Sequence, residues 1–143
     1  MNFELVTLDG VKYKGQAYSV VLPTAAGQIT VLPDHEPLLT LLIPGVIAIR
    51  RSKSDADSRI EHYATYGGLA EVNRDGVRVL VDEATHGDEL NMAEAQKAHD
   101  AAVAMRKSAK NQVELDHAQQ LIDRHVVRLR VAELRRRHNR HQS

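Results

Sequence analysis

Residues 27–45 read GQITVLPDHEPLLTLLIPG, and this stretch decides how the first half of the chain is built. Ile29 and Val31 alternate with Gln28 and Thr30, the period of a half-buried strand. Pro33 and Pro37 bracket Asp34, His35 and Glu36. Both rings fix φ and remove backbone donors, so the loop is stiff and cannot continue a ladder. Residues 38–43 are almost wholly apolar and stop at Pro44-Gly45, a strong turn signal. The segment therefore reads as strand, rigid loop, strand, turn.

The same grammar covers residues 1–85. Short runs rich in Val, Ile, Leu, Tyr and Thr lie between turn signals such as Asp9-Gly10, Gly67-Gly68 and Asp75-Gly76. Nine candidate strands follow: 3–8, 11–16, 18–22, 28–32, 38–43, 46–51, 59–66, 68–72 and 76–82. Val77, Val79 and Val81 keep a clean period of two. Many short strands at this spacing predict a sandwich or a barrel. Residues 50–58, RRSKSDADS, read as a mobile polar hairpin tip.

Beyond His86-Gly87 the grammar changes. No Gly or Pro occurs after Gly87, and alanine becomes common, so this half is expected to be helical. Asn91, with Glu94 three residues on, is spelled like a capping box. Met92, Ala95, Ala102, Met105 and Ala109 recur on one face, and Leu115, Ala118, Ile122, Leu129 and Ala132 on another. The alanines leave room for two helices to approach closely. Residues 108–112 are the expected break. Without a break, residues 91–137 would form a rod about 70 Å long at 1.5 Å per residue. Both a folded hairpin and an extended rod are compatible with this sequence.

Bulk composition excludes several classes. At 143 residues the chain is one domain or two small ones. It has no Cys, hence no disulfide, thiolate metal site or cysteine catalysis. Formal net charge is zero, with 8 Lys+Arg against 11 Asp+Glu in residues 1–85 and 11 against 8 beyond. Arg124, Arg128, Arg130, Arg135, Arg136, Arg137 and Arg140 face only Glu133 past position 123. Such a run either complements the helix dipole or grips an acidic partner surface. One Phe, four Tyr and no Trp argue against a base-stacking surface. The N-terminus lacks the basic and long apolar segments of a signal peptide. The longest apolar run, residues 38–49, is shorter than the ~20 residues of a spanning helix and is broken at Pro44-Gly45. The expectation is a soluble, unprocessed, cytoplasmic chain.

No constellation carries catalysis. Residues 10–15, GVKYKG, have a P-loop's glycine spacing, but Gln16-Ala17 stand where Lys-Ser/Thr belongs, so this reads as a hairpin. The eight His do not form a ligand set. His138 and His141 share a helix face without the Glu of zinc hydrolases, so no metal site is expected. His35 has no Ser or Cys nucleophile in an elbow and reads as an imidazole satisfying backbone groups. Tyr63 and Tyr66 read as strand core or rim. Catalytic residues and cofactors: none.

The 27–45 segment resembles the epsilon subunit of F-type ATP synthases, whose pattern there is G-x-x-x-x-L-P-x-H-x-P-L-x-T-x-L-x-P-G. Two further segments carry the resemblance. Residues 66–72 (YGGLAEV) with 77–84 (VRVLVDEA) look like the family's G-G-x-x-E-V and V-x-V-L-x-D-x-A strands. Residues 128–134 (RLRVAEL) are similar to its last helix. The resemblance implies a β + α chain: a ten-stranded β-sandwich over residues 1–86, then a two-helix hairpin over residues 87–143.

It also implies a role. The family's subunit belongs to the rotor's central stalk, binds the gamma subunit, rests on the ring of c subunits and couples proton-driven rotation to the alpha/beta catalytic hexamer. It catalyses nothing itself and would lie at the cytoplasmic face of a bacterial plasma membrane, peripherally. Gln28 and His35 correspond to positions in loops that face the c-ring. The family often has an acidic residue where Gln28 stands, which points to packing and hydrogen bonding there. The helical half acts in the family as a brake on ATP hydrolysis, folded on the sandwich or extended beside gamma. Arg124, Arg128, Arg130, Arg135, Arg136 and Arg137 are the cations that would meet an acidic segment of the catalytic subunits. Many members hold ATP through an (I/L)-D-x-x-R-A motif. Here residues 90–95 read LNMAEA: Asn91 replaces Asp and Glu94 replaces Arg, and a carboxylate repels triphosphate. No ATP binding of that kind is expected. A different class, a stand-alone nucleic-acid-binding module using the Arg-rich helix, is the alternative.

Overall fold

A computed structural model describes residues 1–141, apart from the side chain of His141. Eight strands precede two helices: β1 Asn2–Thr7, β2 Gly10–Gln16, β3 Ser19–Thr24, β4 Gly27–Val31, β5 Leu38–Arg50, β6 Glu61–Asn73, β7 Gly76–Val81, β8 Ala84–His86, α1 Met92–Lys107 and α2 Gln112–His141. The strand order is β2-β1-β7-β6-β5-β3-β4, with β8 paired to β6. All pairings are antiparallel except β1 with β7. Phe3, Leu5 and Tyr13 from one end of that order share a core with Val20, Leu22 and Val31 from the other. The sheet is therefore folded over on itself, and the alternating apolar positions of both layers meet inside.

The sequence predicts separate strands over 38–43 and 46–51, and again over 59–66 and 68–72. Instead β5 and β6 are single 13-residue strands paired from Leu38↔Val72 to Ile49↔Glu61. The turn signals at Pro44-Gly45 and Gly67-Gly68 adjoin the same gap in the ladder and mark bends, not ends. Pro44 pairs with Tyr66 and Leu42 with Gly68, while Ile43 and Gly67 are left out of the ladder. Gly68 has φ 153°, and a Cβ there would stand 2.3 Å from the Leu80 carbonyl oxygen. Only glycine lets two long strands turn this corner together. Counting each bent strand as two segments gives ten. The one that sequence missed, β8, is three residues long and carries no periodic signal. The 50–58 tip is cross-linked, with Arg50 2.6 Å from Asp57 and the Asp55 carboxylate accepting from the Ser52 amide at 2.9 Å.

The break between helices lies at residues 108–111, as expected, without Gly or Pro. Ser108 closes α1 by donating its hydroxyl to the carbonyls of Ala104 and Met105, both at 3.2 Å. Asn111 opens α2 by accepting the Glu114 amide at 2.9 Å, and the Glu114 carboxylate accepts the Lys110 amide at 2.7 Å. That reciprocal pair is a capping device in the middle of a polar run. Asn91 caps α1 by accepting from the amides of Ala93 and Glu94 at 2.9 and 3.2 Å. A full capping box occurs five residues earlier, between His86 and Glu89. The helices fold into a hairpin, with Ala95, Ala102 and Ala118 buried. Met105 and Leu115 of the expected faces remain exposed. The second half of α2 lies on the sandwich: Val127, Val131 and Ala132 pack with Val46, Ala64 and Leu90.

Candidate functional site

The surface features that could do work are faces rather than a cleft. On the outer side of the sheet, Leu41 of β5 pairs with Leu69 of β6, Leu69 with Leu80 of β7, Leu80 with Val6 of β1, and Val6 with Val11 of β2. Paired residues share a face, so an apolar row crosses five strands. Leu41 is 70% exposed and Val11 54%. Leu39 and Ile43, two residues either side of Leu41, extend it along β5, both exposed. Exposed apolar rows of this extent mark partner interfaces. Sequence reasoning did not single out these residues. The signal was present in 38–43: a strand with one wet face alternates, whereas this run is apolar on both faces.

Gln28, expected in a loop, is the second residue of β4 and pairs with Pro23, whereas His35 lies in the loop that follows the strand. Gln28 is exposed beside the β3–β4 turn, which Thr24 closes by donating its hydroxyl to the Gly27 carbonyl at 2.6 Å. It lines a groove of about 300 Å³ with Pro23, Ile43, Val126 and Arg130. His35 lies in the loop leaving the other end of β4, roughly 10 Å of strand away. Its amide donates to the Leu32 carbonyl at 3.2 Å, its Nδ1 is 2.7 Å from the Glu36 carbonyl oxygen, and Asp34 beside it has φ 65°. The imidazole ties down a tight loop, as read from the sequence.

The six arginines divide. The Arg124 guanidinium lies 4.3 Å from the centre of the Tyr66 ring and 2.5 Å from the Glu83 carboxylate. Arg128 donates to the Tyr66 hydroxyl at 3.4 Å. Arg135 donates to the carbonyls of Gly87 and Asp88 at 3.2 and 2.9 Å and sits 3.3 Å from the Asp88 carboxylate. These three fasten α2 to the sandwich. Arg137 pairs with Glu133 along the helix at 2.9 Å, and Arg130 and Arg136 are exposed.

Titratable groups concentrate at that seam. The His62 and His138 rings stack with centres 5.4 Å apart, and burial, then His138 and His86, holds the His62 pKa down to about 4. Burial pushes the Tyr63 hydroxyl up to about 12, with Glu61 adding to it. Among the described residues no group of three or more His, Asp or Glu is placed to hold a metal ion. The metal reading of His138 with His141 rests partly on a side chain outside the described residues. Residues 10–15 lie in β2, the second strand of a hairpin with β1. Tyr13 and Tyr63 are buried, so neither offers a ring to a nucleic acid base, and that alternative finds no support.

The model of the ATP synthase delta/epsilon chain β-sandwich domain matches residues 1–87. The chain belongs to this family. An ATP synthase epsilon chain of Brucella canis is 35% identical over 101 residues, covering 71% of this chain and 72% of the relative. The epsilon chain of Brucella anthropi is 35% identical over 96 residues, 67% and 68% of the two chains. Among solved structures, a chain of the Euglena gracilis mitochondrial ATP synthase OSCP/F1/c-ring assembly superposes with a TM-score of 0.74 at 21% identity, covering 85% of this chain and 74% of that one. A chain of the Tetrahymena thermophila central stalk and c-ring gives 0.51 at 18% identity, over 62% and 68%. At these identities the two structures speak for the fold. Among the described residues no helix is long and apolar enough to cross a membrane.

Proposed function

We propose that this chain is the epsilon subunit of a rotor central stalk, a non-catalytic part that couples rotation of a c-ring to ATP synthesis by the alpha/beta hexamer. The observation that carries the reading is the five-strand apolar row on the sandwich of a family member. A torque-transmitting part needs a broad, stiff, apolar face on a neighbour, and gamma is that neighbour. Gln28 and the His35 loop are the positions offered to the c-ring, through packing and hydrogen bonds. The site of action is the cytoplasmic face of a bacterial plasma membrane, peripherally.

The helical hairpin over residues 87–143 is the regulatory element in this reading. Docked as here, Arg124, Arg128 and Arg135 are committed to Glu83, Tyr66 and Asp88. To meet an acidic surface on a catalytic subunit they must leave those partners. The same cations then serve two competing sets of contacts, which is how a two-state element is built. Asn91 uses its side-chain oxygen as a helix cap, and Glu94 puts a carboxylate where the family pattern has the guanidinium that would clamp a triphosphate.

A tagged chain expressed in its own cell should copurify gamma and the catalytic subunits; recovery of the chain alone would refute the stalk assignment. Deleting residues 124–143 should raise ATP hydrolysis by the assembled complex, and an unchanged rate rules out the brake. Titration calorimetry with ATP should show no micromolar site.

A further inference from the structure

The seam between α2 and the sandwich contains histidines facing cations. His62 of β6 stacks on His138 near the end of α2. The His138 Nε2 is buried with no hydrogen-bond partner. Around the same cleft of about 260 Å³ stand Arg59 from the 3-10 turn Asp57–Arg59, His86 and Asp88 from the β8 end, and Arg135 from α2. Of the acids facing this cleft, Asp88 is engaged by Arg135 at 3.3 Å, and Glu61 by Arg51 at 3.0 Å through one carboxylate oxygen, the other being buried without a hydrogen-bond partner. A proton added to the His62 ring would enter a largely buried site beside a second imidazole and the guanidinium groups of Arg59 and Arg135.

We propose that this seam is a proton-operated latch: protonation of His62, stacked on His138, lifts the C-terminal half of α2 off the sandwich. The inference concerns the docking equilibrium of the chain itself and stands without any assembly partner. Docking also depends on shape at the same place. Val131 is fully buried in the seam and packs with Val46, Ala64 and Leu90, so lifting the helix must break this apolar contact.

The sign follows from linkage. His62 in the docked state has a pKa of about 4; freed from α2 it returns toward the ordinary value near 6.5. The undocked form therefore binds the proton first, and docking weakens as pH falls below 6.5, until both forms are protonated near 4. Between pH 7.5 and 5.5 the docked-to-undocked ratio should fall by up to about tenfold.

The chain has no cysteine, so a thiol can be placed where only undocking exposes it. Val131 is fully buried in the seam. The reaction rate of Val131→Cys with dithiodipyridine, divided by that of the exposed Ser54→Cys, reports the undocked fraction. That quotient should rise about tenfold from pH 7.5 to 5.5. It should rise less than threefold in His62→Gln, and His138→Gln should also blunt it. If His62→Gln does not fold, His138→Gln decides. An unchanged quotient in the parent overturns the latch. So does the full rise in both glutamine variants, or an equal rise at Val79→Cys in the sandwich core, which would mean general loosening.

Discussion

Gly68 and Asn91 are single positions where the backbone dictates the residue, and each makes a measurable claim. At Gly68 an added methyl meets the Leu80 carbonyl at 2.3 Å and Val81 Cγ1 at 2.7 Å, with φ at 153°. Neither neighbour is the free end of a flexible side chain. Gly68→Ala should cost about 2–4 kcal/mol of stability, read as a lower midpoint in urea, and an unchanged midpoint would contradict the corner geometry. Asn91→Ala removes the acceptor for two α1 amides and should cost about 1 kcal/mol, while Asn91→Asp should hold or improve stability. The same asparagine occupies a nucleotide-motif position in the family pattern, so a capping role explains its presence here without any ligand.

Helix α2 is a single element with two different halves. Its first half packs on α1 through small residues; its second half is fastened to the sandwich by arginines. Arg124 and Glu83 are 37% and 44% exposed at their side chains, so screening limits their pair to about 0.5–1 kcal/mol. Arg124→Gln should raise the thiol-labelling quotient at Val131→Cys about two- to fivefold at pH 7.5, and the double variant with Glu83→Gln should add little more. Burial, then Arg128, Arg124 and His99, lowers the His125 pKa. The hairpin should therefore lose stability as pH falls below about 6.5, seen as a lower thermal midpoint at pH 5.5 that His125→Gln reduces in size. Element types and the position of the interhelix break were legible in the sequence because alternation, alanine content and the Gly/Pro punctuation all agreed. The two 13-residue strands were not, because Pro44-Gly45 and Gly67-Gly68 spell turns, and only their meeting at the same gap in the ladder turns two stops into one shared bend. The arginine run was visible as charge, but its division into docking and exposed members depends on where Glu83, Tyr66 and Asp88 come to rest.

At the scale of the whole molecule, one sandwich carries the helix seam, the loops at the two ends of β4, and the apolar row across β5, β6, β7, β1 and β2, with Gln28 and Ile43 meeting Val126 and Arg130 of α2 in one groove. A row of exposed leucines contributes almost nothing to the isolated chain, so its contribution must appear on assembly. Leu41→Asp and Leu80→Asp change side chains that are 70% and 44% exposed, so folding stability should move by less than about 1 kcal/mol. Covering a leucine with a partner is worth about 1.5–3 kcal/mol, and burying a carboxylate there costs more. Each variant should therefore weaken binding to gamma by at least about tenfold, measured by calorimetry or by retention of the tagged chain in the purified complex. Arg78→Ala is the matched control: Arg78 lies two residues from Leu80 in the next row, among Glu71 and Glu4. It should leave affinity within about threefold, since a rim ion pair is worth little. Full affinity in Leu41→Asp, with its urea midpoint unchanged, would place gamma on another face of the sandwich.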